Sequence, residues 1–300
     1  MTLTALKAAS PLLFAAGILA ALNSSPIPSR PAIAGVAGIR VRAADLEKSL
    51  RFYGKLLGLP ECHSDSTLCF RVNAGQSIEL IPLGEERSPN RLVFIAFETN
   101  DSTALHQSLA AAGIPVGDRV ALPDGSSYFE ALDPEKHLLR FIQFPMSRPL
   151  ARPTPEQISA RMIHTGYVVQ DRPAMDRLYK DLLGFHLYWH GGMEENVTDW
   201  VDMQVPNGTD WLEYMLNVSP NAQQDELGIM NHVALGVSSL QPAIERLRKN
   251  GWVPGEEPQI GRDGKWQLNL YDPDGTRVEL MEFKPVEKPC CAEYSGPHPH

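Results

Sequence analysis

Four side chains in the second half of the chain are of types that bind metal ions. His164 and His232 each open a short apolar stretch, and Glu213 and Glu279 each interrupt one. Two neutral imidazoles and two carboxylates suit a divalent Fe, Mn, Co, Ni or Zn ion and leave one or two positions open for substrate. A carboxylate within an apolar strand needs a counter-charge, which such an ion would supply. These residues therefore predict a site for one divalent metal ion.

Each of the four residues also has an ordinary structural explanation. A histidine at the start of a strand is commonly a polar boundary residue, and a glutamate on an alternating strand commonly faces solvent. Their regular placement favours the metal site, because the four stand at equivalent places in two similar segments. They are separated by 49, 19 and 47 residues along the chain.

The elements that must position these residues repeat four times. Each repeat has a short apolar strand, a helix with one apolar face, a glycine that ends the helix, and two or three further strands. The first and third repeats share the motif Tyr-x-x-Leu-Leu-Gly, at 53–58 and 179–184. The second and fourth share Asp-Pro before their last strand, at 133 and 272. The sequence therefore predicts an α+β fold of tandem βαβββ units, two per domain.

Two repeats make one domain, and a proline-containing stretch separates the two domains. The prolines of this linker are Pro149, Pro153 and Pro155. The predicted segments are a signal peptide or disordered N-terminus at 1–30, a degenerate first domain at 33–145, the linker at 146–160, a metal-binding domain at 161–284, and a tail with cysteines and histidines at 285–300.

The composition excludes several classes of partner. Hydrophobic residues make up 43% of the chain and charged residues 21%, as in a protein that folds around a core. The net charge is −9 and no Lys/Arg-rich block occurs, so we expect no nucleic-acid partner. No run of about 18 apolar residues occurs, so we expect no membrane span. A small-molecule substrate is the expected partner, and a homodimer is the oligomer we allow for.

The first 31 residues resemble a secretory signal peptide. Lys7 is the only charge before Arg30, an apolar run follows at 11–22, and a polar, proline-containing stretch ends the segment. This pattern predicts a secreted or periplasmic protein. The alternative is a cytoplasmic protein whose N-terminus is a buried or frayed helix.

The four cysteines are too few for a disulfide scaffold, although export would permit individual disulfides. Cys62 and Cys69 flank a strand and could pair with each other. Cys290 and Cys291 are adjacent in the tail, which also holds two histidines. We expect this tail to be a disordered chain end, with a site for a soft metal as the alternative.

With these motifs the chain resembles the vicinal oxygen chelate superfamily, which includes glyoxalase I, bleomycin-resistance proteins and extradiol dioxygenases. The resemblance covers residues 33–284 and implies paired βαβββ units that form a half-barrel around one metal ion, with flanking helices. It also implies that His164, Glu213, His232 and Glu279 are the ligands and that one carboxylate, Glu213 or Glu279, acts as a base. The segments that carry it are Asp45-Leu-Glu-Lys-Ser49, His164-Thr-Gly-Tyr-Val-Val169, Tyr179-Lys-Asp-Leu-Leu-Gly-Phe185, Asn231-His-Val-Ala-Leu-Gly-Val237 and Asp272-Pro-Asp-Gly-Thr-Arg-Val-Glu-Leu280.

The first half of the chain has lost most of this ligand set. The shared motifs place Val36, Glu79, Phe94 and Arg140 where the second half has its four candidate ligands, in the same order. We therefore predict a metal-free first domain that supports the second or shapes the mouth of its site. Glu79 and Arg140 are expected to pair with each other there.

Three functions are compatible with this reading. The first is a metal-dependent, glyoxalase-like lyase or isomerase acting on a small substrate with two vicinal oxygens, for which Gln267, Asn269 and Tyr271 could orient the substrate. The second is an extradiol ring-cleaving dioxygenase, which would use Fe(II) with two histidines and Glu279. The third is a non-catalytic protein that binds a small molecule and confers resistance. The additional Glu213 favours the first.

Overall fold

The computed structural model of the chain describes residues 30–64, 67–85, 88–148 and 152–300. The proposed signal peptide, apart from its last residue, and Pro149 of the linker lie outside the described residues. Within these ranges no helix has the length and apolar character needed to cross a bilayer.

Two mixed sheets of eight strands form the framework, one in each half of the chain. The first has the order β2-β3-β4-β1-β5-β8-β7-β6. Its strands are β1 (Ile33–Ala43), β2 (Glu61–Ser64), β3 (Thr67–Asn73), β4 (Gln76–Pro82), β5 (Leu92–Thr99), β6 (Val120–Ala121), β7 (Ser127–Leu132) and β8 (Leu138–Gln143). In the centre β1 pairs parallel with β4 and antiparallel with β5, so the two units of the domain meet along β1 and β5.

The second sheet repeats this arrangement, with the order β10-β11-β12-β9-β13-β16-β15-β14. Its strands are β9 (Met162–Val168), β10 (His186–Gly191), β11 (Trp200–Gln204), β12 (Trp211–Met215), β13 (His232–Val237), β14 (Gln259–Ile260), β15 (Trp266–Tyr271) and β16 (Arg277–Glu282). The α+β fold of tandem βαβββ units, with two half-barrel sheets, is confirmed.

A helix follows the first strand of each unit. The helices are α1 (Leu46–Ser49), α2 (Ser102–Ala111), α3 (Arg172–Asp176) and α5 (Leu240–Lys249), and α4 (Gln224–Met230) is an additional one that leads into β13. The helices α1 and α3 continue as π-helical turns over Leu50–Leu56 and Arg177–Leu182. The glycine expected to end each helix has a positive φ, which glycine adopts without strain. These are Gly58, Gly113, Gly184 and Gly251.

The two domains hold each other through a tyrosine–aspartate contact in each direction. Tyr53 Oη of the first domain donates to Asp272 of the second at 2.9 Å. Tyr167 Oη of the second domain donates to Asp133 of the first at 3.3 Å. Both aspartates belong to the Asp-Pro motifs, so these motifs tie each domain to its neighbour.

The same turns also fix the start of a helix in the facing domain. Asp274 accepts a hydrogen bond from the backbone N–H of Ala44, just before α1. Glu135 accepts one from the backbone N–H of Gln170, just before α3. Because the contacts repeat in both directions, the domains pack with approximate twofold symmetry. One apolar core runs through both of them.

The cysteines and the tail differ from the expectation in part. Cys62 and Cys69 form a disulfide between β2 and β3, as the sequence suggested. The prediction of a disordered tail is wrong, because residues 285–300 pack against the second domain. Tyr294 donates to the backbone of Asp263, and Ser295 to that of Leu187. Cys290 and Cys291 are joined in a disulfide, so they offer no thiolates to a soft metal.

Candidate metal centre

The four candidate ligands lie on four neighbouring strands of the second sheet. His164 is on β9, Glu213 on β12, His232 on β13 and Glu279 on β16, and these strands are adjacent in the order β12-β9-β13-β16. Both histidines are buried, with 1% of their surface exposed. The sheet therefore brings together residues that are up to 115 positions apart in the chain.

The donor atoms converge on one point. His164 Nε2 and His232 Nε2 lie 3.0 Å apart. Glu213 Oε2 lies 3.1 Å from His232 Nε2 and 3.7 Å from His164 Nε2. Glu279 Oε2 lies 3.5 Å from His164 Nε2 and 3.7 Å from His232 Nε2. The sequence-derived set of four is thus a single cluster.

Hydrogen bonding fixes which nitrogen of His232 faces the cluster. Its Nδ1 lies 2.9 Å from the carbonyl oxygen of Met230, which can only accept, so Nδ1 carries the proton. In the neutral ring Nε2 then has a lone pair and faces a carboxylate oxygen of Glu213 at 3.1 Å. Two acceptors at this distance repel each other unless a cation lies between them. The donor set therefore fits a divalent ion.

Gly166 makes room for the His232 ring. It lies opposite His232 in the pairing of β9 with β13. A Cβ atom built at Gly166 would lie 2.2 Å from Cε1 of that imidazole and 2.5 Å from its Nδ1. The orientation of the ligand thus depends on the absence of a side chain on the neighbouring strand.

The charges around the cluster keep the ligands in their metal-binding forms. Burial and the guanidinium of Arg277 lower the pKa of the His232 imidazole, which favours the neutral ring. Burial raises the pKa of Glu279, but His164 and Arg277 outweigh it and bring the value to about 2. Burial also acts upward on Glu213, and the two histidines outweigh it, so its pKa lies below the usual value.

Further buried charge, which the sequence analysis missed, lies beside the candidate ligands. Asp202 on β11 pairs in register with Glu213, and burial and the charge of Glu213 raise its pKa. Lys265 is fully buried, with Nζ 3.8 Å from Asp263 and 4.4 Å from the centre of the Trp211 ring. The available signal was a charged residue inside an apolar stretch, as in Trp-Val-Asp-Met at 200–203.

A cavity of about 90 Å³ opens onto the cluster. Besides three of the ligands, its lining includes the indoles of Trp189, Trp200 and Trp211 and the guanidinium groups of Arg262 and Arg277. The carboxylates of Asp202 and Asp263 line it as well, so aromatic rings and charges of both signs surround the candidate metal position.

The three residues expected to orient substrate are divided between two cavities. Gln267 lines the cavity at the cluster and donates to Asp263. Asn269 and Tyr271 line a separate cleft with Trp252, where Tyr271 Oη donates to Glu256. Only Gln267 is therefore placed to meet a ligand of the metal site.

The matching place in the first domain holds an ion pair and a phenyl ring. Arg40 pairs in register with Glu79 on one side and Phe94 on the other, as Gly166 does with Glu213 and His232. The same register makes Gly38, and not Val36, the counterpart of His164. The expected pairing of Glu79 with Arg140 is also wrong.

In the first domain, Glu79 and Arg140 each form an ion pair with a different residue. Glu79 pairs with Arg40 at 2.5 Å, and Arg140 pairs with Glu130 at 2.6 Å. Both guanidinium groups lie over the Phe94 ring, at 4.8 and 4.1 Å from its centre. Arg140 bonds to Glu130 because β7 and β8 place them directly opposite each other.

The chain is similar in fold to several solved structures across most of its length. The 2,3-dioxygenase LapB from Pseudomonas sp. KL28 matches with a TM-score of 0.67 and 15% identity, covering 91% of this chain and 96% of that one. The Mn(II)-bound glyoxalase from Novosphingobium aromaticivorans matches with a TM-score of 0.64 and 18% identity, covering 84% and 83%. Homoprotocatechuate 2,3-dioxygenase from Arthrobacter globiformis matches with 0.63 and 20%, covering 87% and 83%.

Comparison of sequences finds one distant relative over part of the chain and a family match over both domains. A probable chloroplastic lactoylglutathione lyase from Arabidopsis thaliana is 24% identical over 135 residues. That match takes in 44% of this chain and only 38% of the relative. The sequence profile of the Glyoxalase/Bleomycin resistance protein/Dioxygenase superfamily matches residues 35–141 and 161–280, one match in each domain. The chain therefore belongs to the Glyoxalase/Bleomycin resistance protein/Dioxygenase superfamily.

Proposed function

We propose that this protein is a metal-dependent, glyoxalase-like lyase or isomerase whose small substrate binds the ion through two vicinal oxygens. The observation that carries the proposal is the second carboxylate. Glu213 Oε2 approaches the histidine nitrogens as closely as Glu279 Oε2 does, at 3.1–3.7 Å against 3.5–3.7 Å. His164, Glu213, His232 and Glu279 would hold the ion together.

The number of ligands distinguishes the proposed reaction from ring cleavage. An octahedral ion with four protein ligands keeps two open positions, which two vicinal oxygens fill. A set of two histidines and one carboxylate keeps three, which leaves room for dioxygen beside the substrate. The fourth ligand therefore favours proton-transfer or elimination chemistry over oxygen chemistry.

The two glutamates have different roles in this proposal. A bound divalent ion would act as a Lewis acid towards the substrate oxygens. Glu213 is the better candidate for the base, because its side chain is 14% exposed against 5% for Glu279. It would take a proton from the carbon beside the chelating oxygens. Glu279, the less exposed of the two, would stay a ligand.

The size of the cavity favours a small substrate. Its volume of about 90 Å³ is well below the roughly 300–1,000 Å³ of pockets that enclose drug-sized ligands. Gln267 lines the same cavity and is the residue of β15 best placed to orient what binds there.

An Fe(II)-dependent extradiol dioxygenase is the second candidate. Without Glu213, the remaining His164, His232 and Glu279 form the set of two histidines and one carboxylate that such enzymes use. The similarity in fold to two dioxygenases over 87–91% of the chain favours keeping this candidate.

Metal analysis of the purified protein tests the proposal. We expect one Mn, Fe, Co, Ni or Zn ion per chain, measured by inductively coupled plasma mass spectrometry after loading with each metal. Glu213→Gln should weaken binding and abolish proton exchange at carbon, measured by NMR in D₂O with a panel of 2-hydroxycarbonyl compounds. A chain that binds no divalent ion would contradict the proposal.

The matched control is Glu79→Gln, at the equivalent place in the first domain, which should leave metal content and activity unchanged. Anaerobic loading with Fe(II) followed by catechols and air tests the second candidate. A yellow ring-fission product from the parent protein would favour dioxygenase over lyase or isomerase.

A further inference from the structure

Two arginines line the cavity at the candidate metal site. Arg262 and Arg277 both contribute to the lining. Among the residues that the structure describes, no carboxylate oxygen lies within 4.0 Å of either guanidinium group. Lys265, the remaining cation of this region, does have one, because Asp263 lies 3.8 Å from its Nζ. The cavity wall thus carries two guanidinium groups beside the carboxylates of Asp202, Glu213, Asp263 and Glu279, and neither guanidinium forms an ion pair within the described residues.

Arg277 directly contacts one of the candidate metal ligands. Its Nη2 lies 2.9 Å from Nδ1 and 3.1 Å from Nε2 of His232, so the guanidinium contacts that imidazole. Its Nε is buried and has no hydrogen-bond partner in the described part of the chain. A buried N–H without a partner is costly, and a charged donor more so, which points to a ligand that supplies the acceptor.

The contacts of Arg262 hold it at the rim of the same cavity. Its Nε donates to the backbone oxygen of Gly192 at 3.1 Å and its Nη2 lies 4.0 Å from Cys291 Sγ, and neither of these uncharged groups neutralises the guanidinium. The first domain has no counterpart to Arg277, because the register of β5 with β8 places Leu138 there. Arg277 therefore occurs only in the domain that has the candidate metal ligands, among the residues that the structure describes.

We propose that the substrate carries a carboxylate in addition to its two vicinal oxygens, and that Arg277 binds this carboxylate with help from Arg262. A guanidinium group matches the two oxygens of a carboxylate with parallel N–H donors. The small cavity favours a planar carboxylate over a tetrahedral phosphate. This inference rests on the proposed metal-dependent function.

The test compares two chelators that differ in one group. N-hydroxysuccinamic acid binds metals through its hydroxamate and ends in a carboxylate, whereas N-hydroxysuccinamide ends in a neutral amide of similar size. Isothermal titration calorimetry with Mn(II)-loaded protein should give a dissociation constant about tenfold lower for the acid. In Arg277→Gln this preference should fall to about twofold or less, and Arg277→Lys should retain part of it.

The control is Arg248→Gln, which removes the same charge from an exposed position on α5 and should keep the tenfold preference. Equal affinity for acid and amide in the parent protein, or an unchanged preference in Arg277→Gln, would overturn the inference while leaving the proposed function intact. The Mn content of each variant is measured first. A parent chain that binds no Mn(II) or other divalent ion would overturn both.

Discussion

The two half-barrels share one strand register and differ in what occupies its centre. In the second domain, Gly166 lies between Glu213 and His232, and the empty space beside it admits the imidazole. In the first domain, Arg40 takes the place of that glycine and fills the space with a guanidinium group. The guanidinium of Arg40 thus lies where the second domain has room for an exchangeable metal ion. The difference shows that the fold alone does not make the metal site.

The comparison also shows how the first domain balances the charge of its glutamate without the other candidate ligands. Glu79 keeps a positive partner in Arg40, at 2.5 Å, as Glu213 would keep one in a bound ion. Phe94, in the place of His232, lies between two guanidinium groups as a neutral aromatic ring. The first domain therefore balances the charge of its half-buried Glu79 without a metal ion.

The largest effect is expected when the second domain is made to resemble the first at Gly166. In Gly166→Ala, the new Cβ would lie 2.2 Å from Cε1 of His232, so the imidazole must move out of the cluster. We expect the affinity for Mn(II) to fall by about 100-fold, the upper end of the typical 10–100-fold cost of disturbing the support of a metal ligand. Titration calorimetry measures this loss.

Gly255→Ala is the matched control for that change. A Cβ at Gly255 would meet no atom within 4 Å, and the residue is exposed. It should therefore bind Mn(II) as the parent does. A Gly166→Ala variant with parental affinity would show that the space beside His232 is not what separates the two domains.

A second expected effect is metal-linked stability that depends on the second domain alone. At a metal concentration 100 times the dissociation constant, binding to the folded state adds about 2.7 kcal/mol to the free energy of unfolding. Calorimetry with Mn(II) and with EDTA should show a higher melting temperature in the metal-loaded protein, and Glu213→Gln should lose most of the difference.

Glu79→Gln tests the other side of that comparison. It removes a partly exposed ion pair, so we expect it to lower stability by about 1 kcal/mol or less. The melting-temperature difference between Mn(II) and EDTA should remain as in the parent. Its disappearance in this variant would mean that the first domain contributes to metal binding after all.

The sequence predicted the cluster of four side chains because each stands at the same point of a recognisable strand. The Asp-Pro and Tyr-x-x-Leu-Leu-Gly motifs fixed three of the four equivalent positions in the first domain. The fourth was misplaced at Val36, two residues before Gly38, because a shift of two residues keeps each side chain on the same face of a strand and so leaves the apolar pattern of β1 unchanged. The pairing of Glu79 with Arg40 was missed for a related reason, because it depends on which residue of β1 lies opposite Glu79.

The tail is a further asymmetry between the domains, and its removal should have an intermediate effect. Tyr294 packs against Tyr188 and Trp189, and its hydroxyl donates to Asp263 beside buried Lys265. Tyr294→Ala would remove this cover, so we expect the free energy of unfolding to fall by about 2 kcal/mol, less than for a fully buried aromatic ring. Urea unfolding measures the change, and Tyr271→Ala, at an exposed ring, is the control.

The smallest expected effect concerns two equivalent residues at the domain interface. Asp210 and Gln76 each stand three positions before the glutamate of their domain, and each reaches the first strand of the other domain, at Val36 and Met162. Only Asp210 titrates. Burial raises its pKa to about 6, although Arg161 acts against this. The folded protein therefore keeps this proton to a higher pH than the unfolded chain, whose carboxyl has a pKa near 3.9.

Between about pH 4 and pH 6 the folded state binds more protons at Asp210, so its contribution to stability decreases as the pH rises through this window. Asp210→Asn should remove that decrease, which we expect to be on the order of 1 kcal/mol, in urea unfolding at pH 4.5 and pH 7. Gln76→Ala should lower stability by similar amounts at both values. If the two variants keep the same pH dependence, the interface contacts are equivalent in charge as well as in place, and the asymmetry between the domains is confined to the metal centre and the tail.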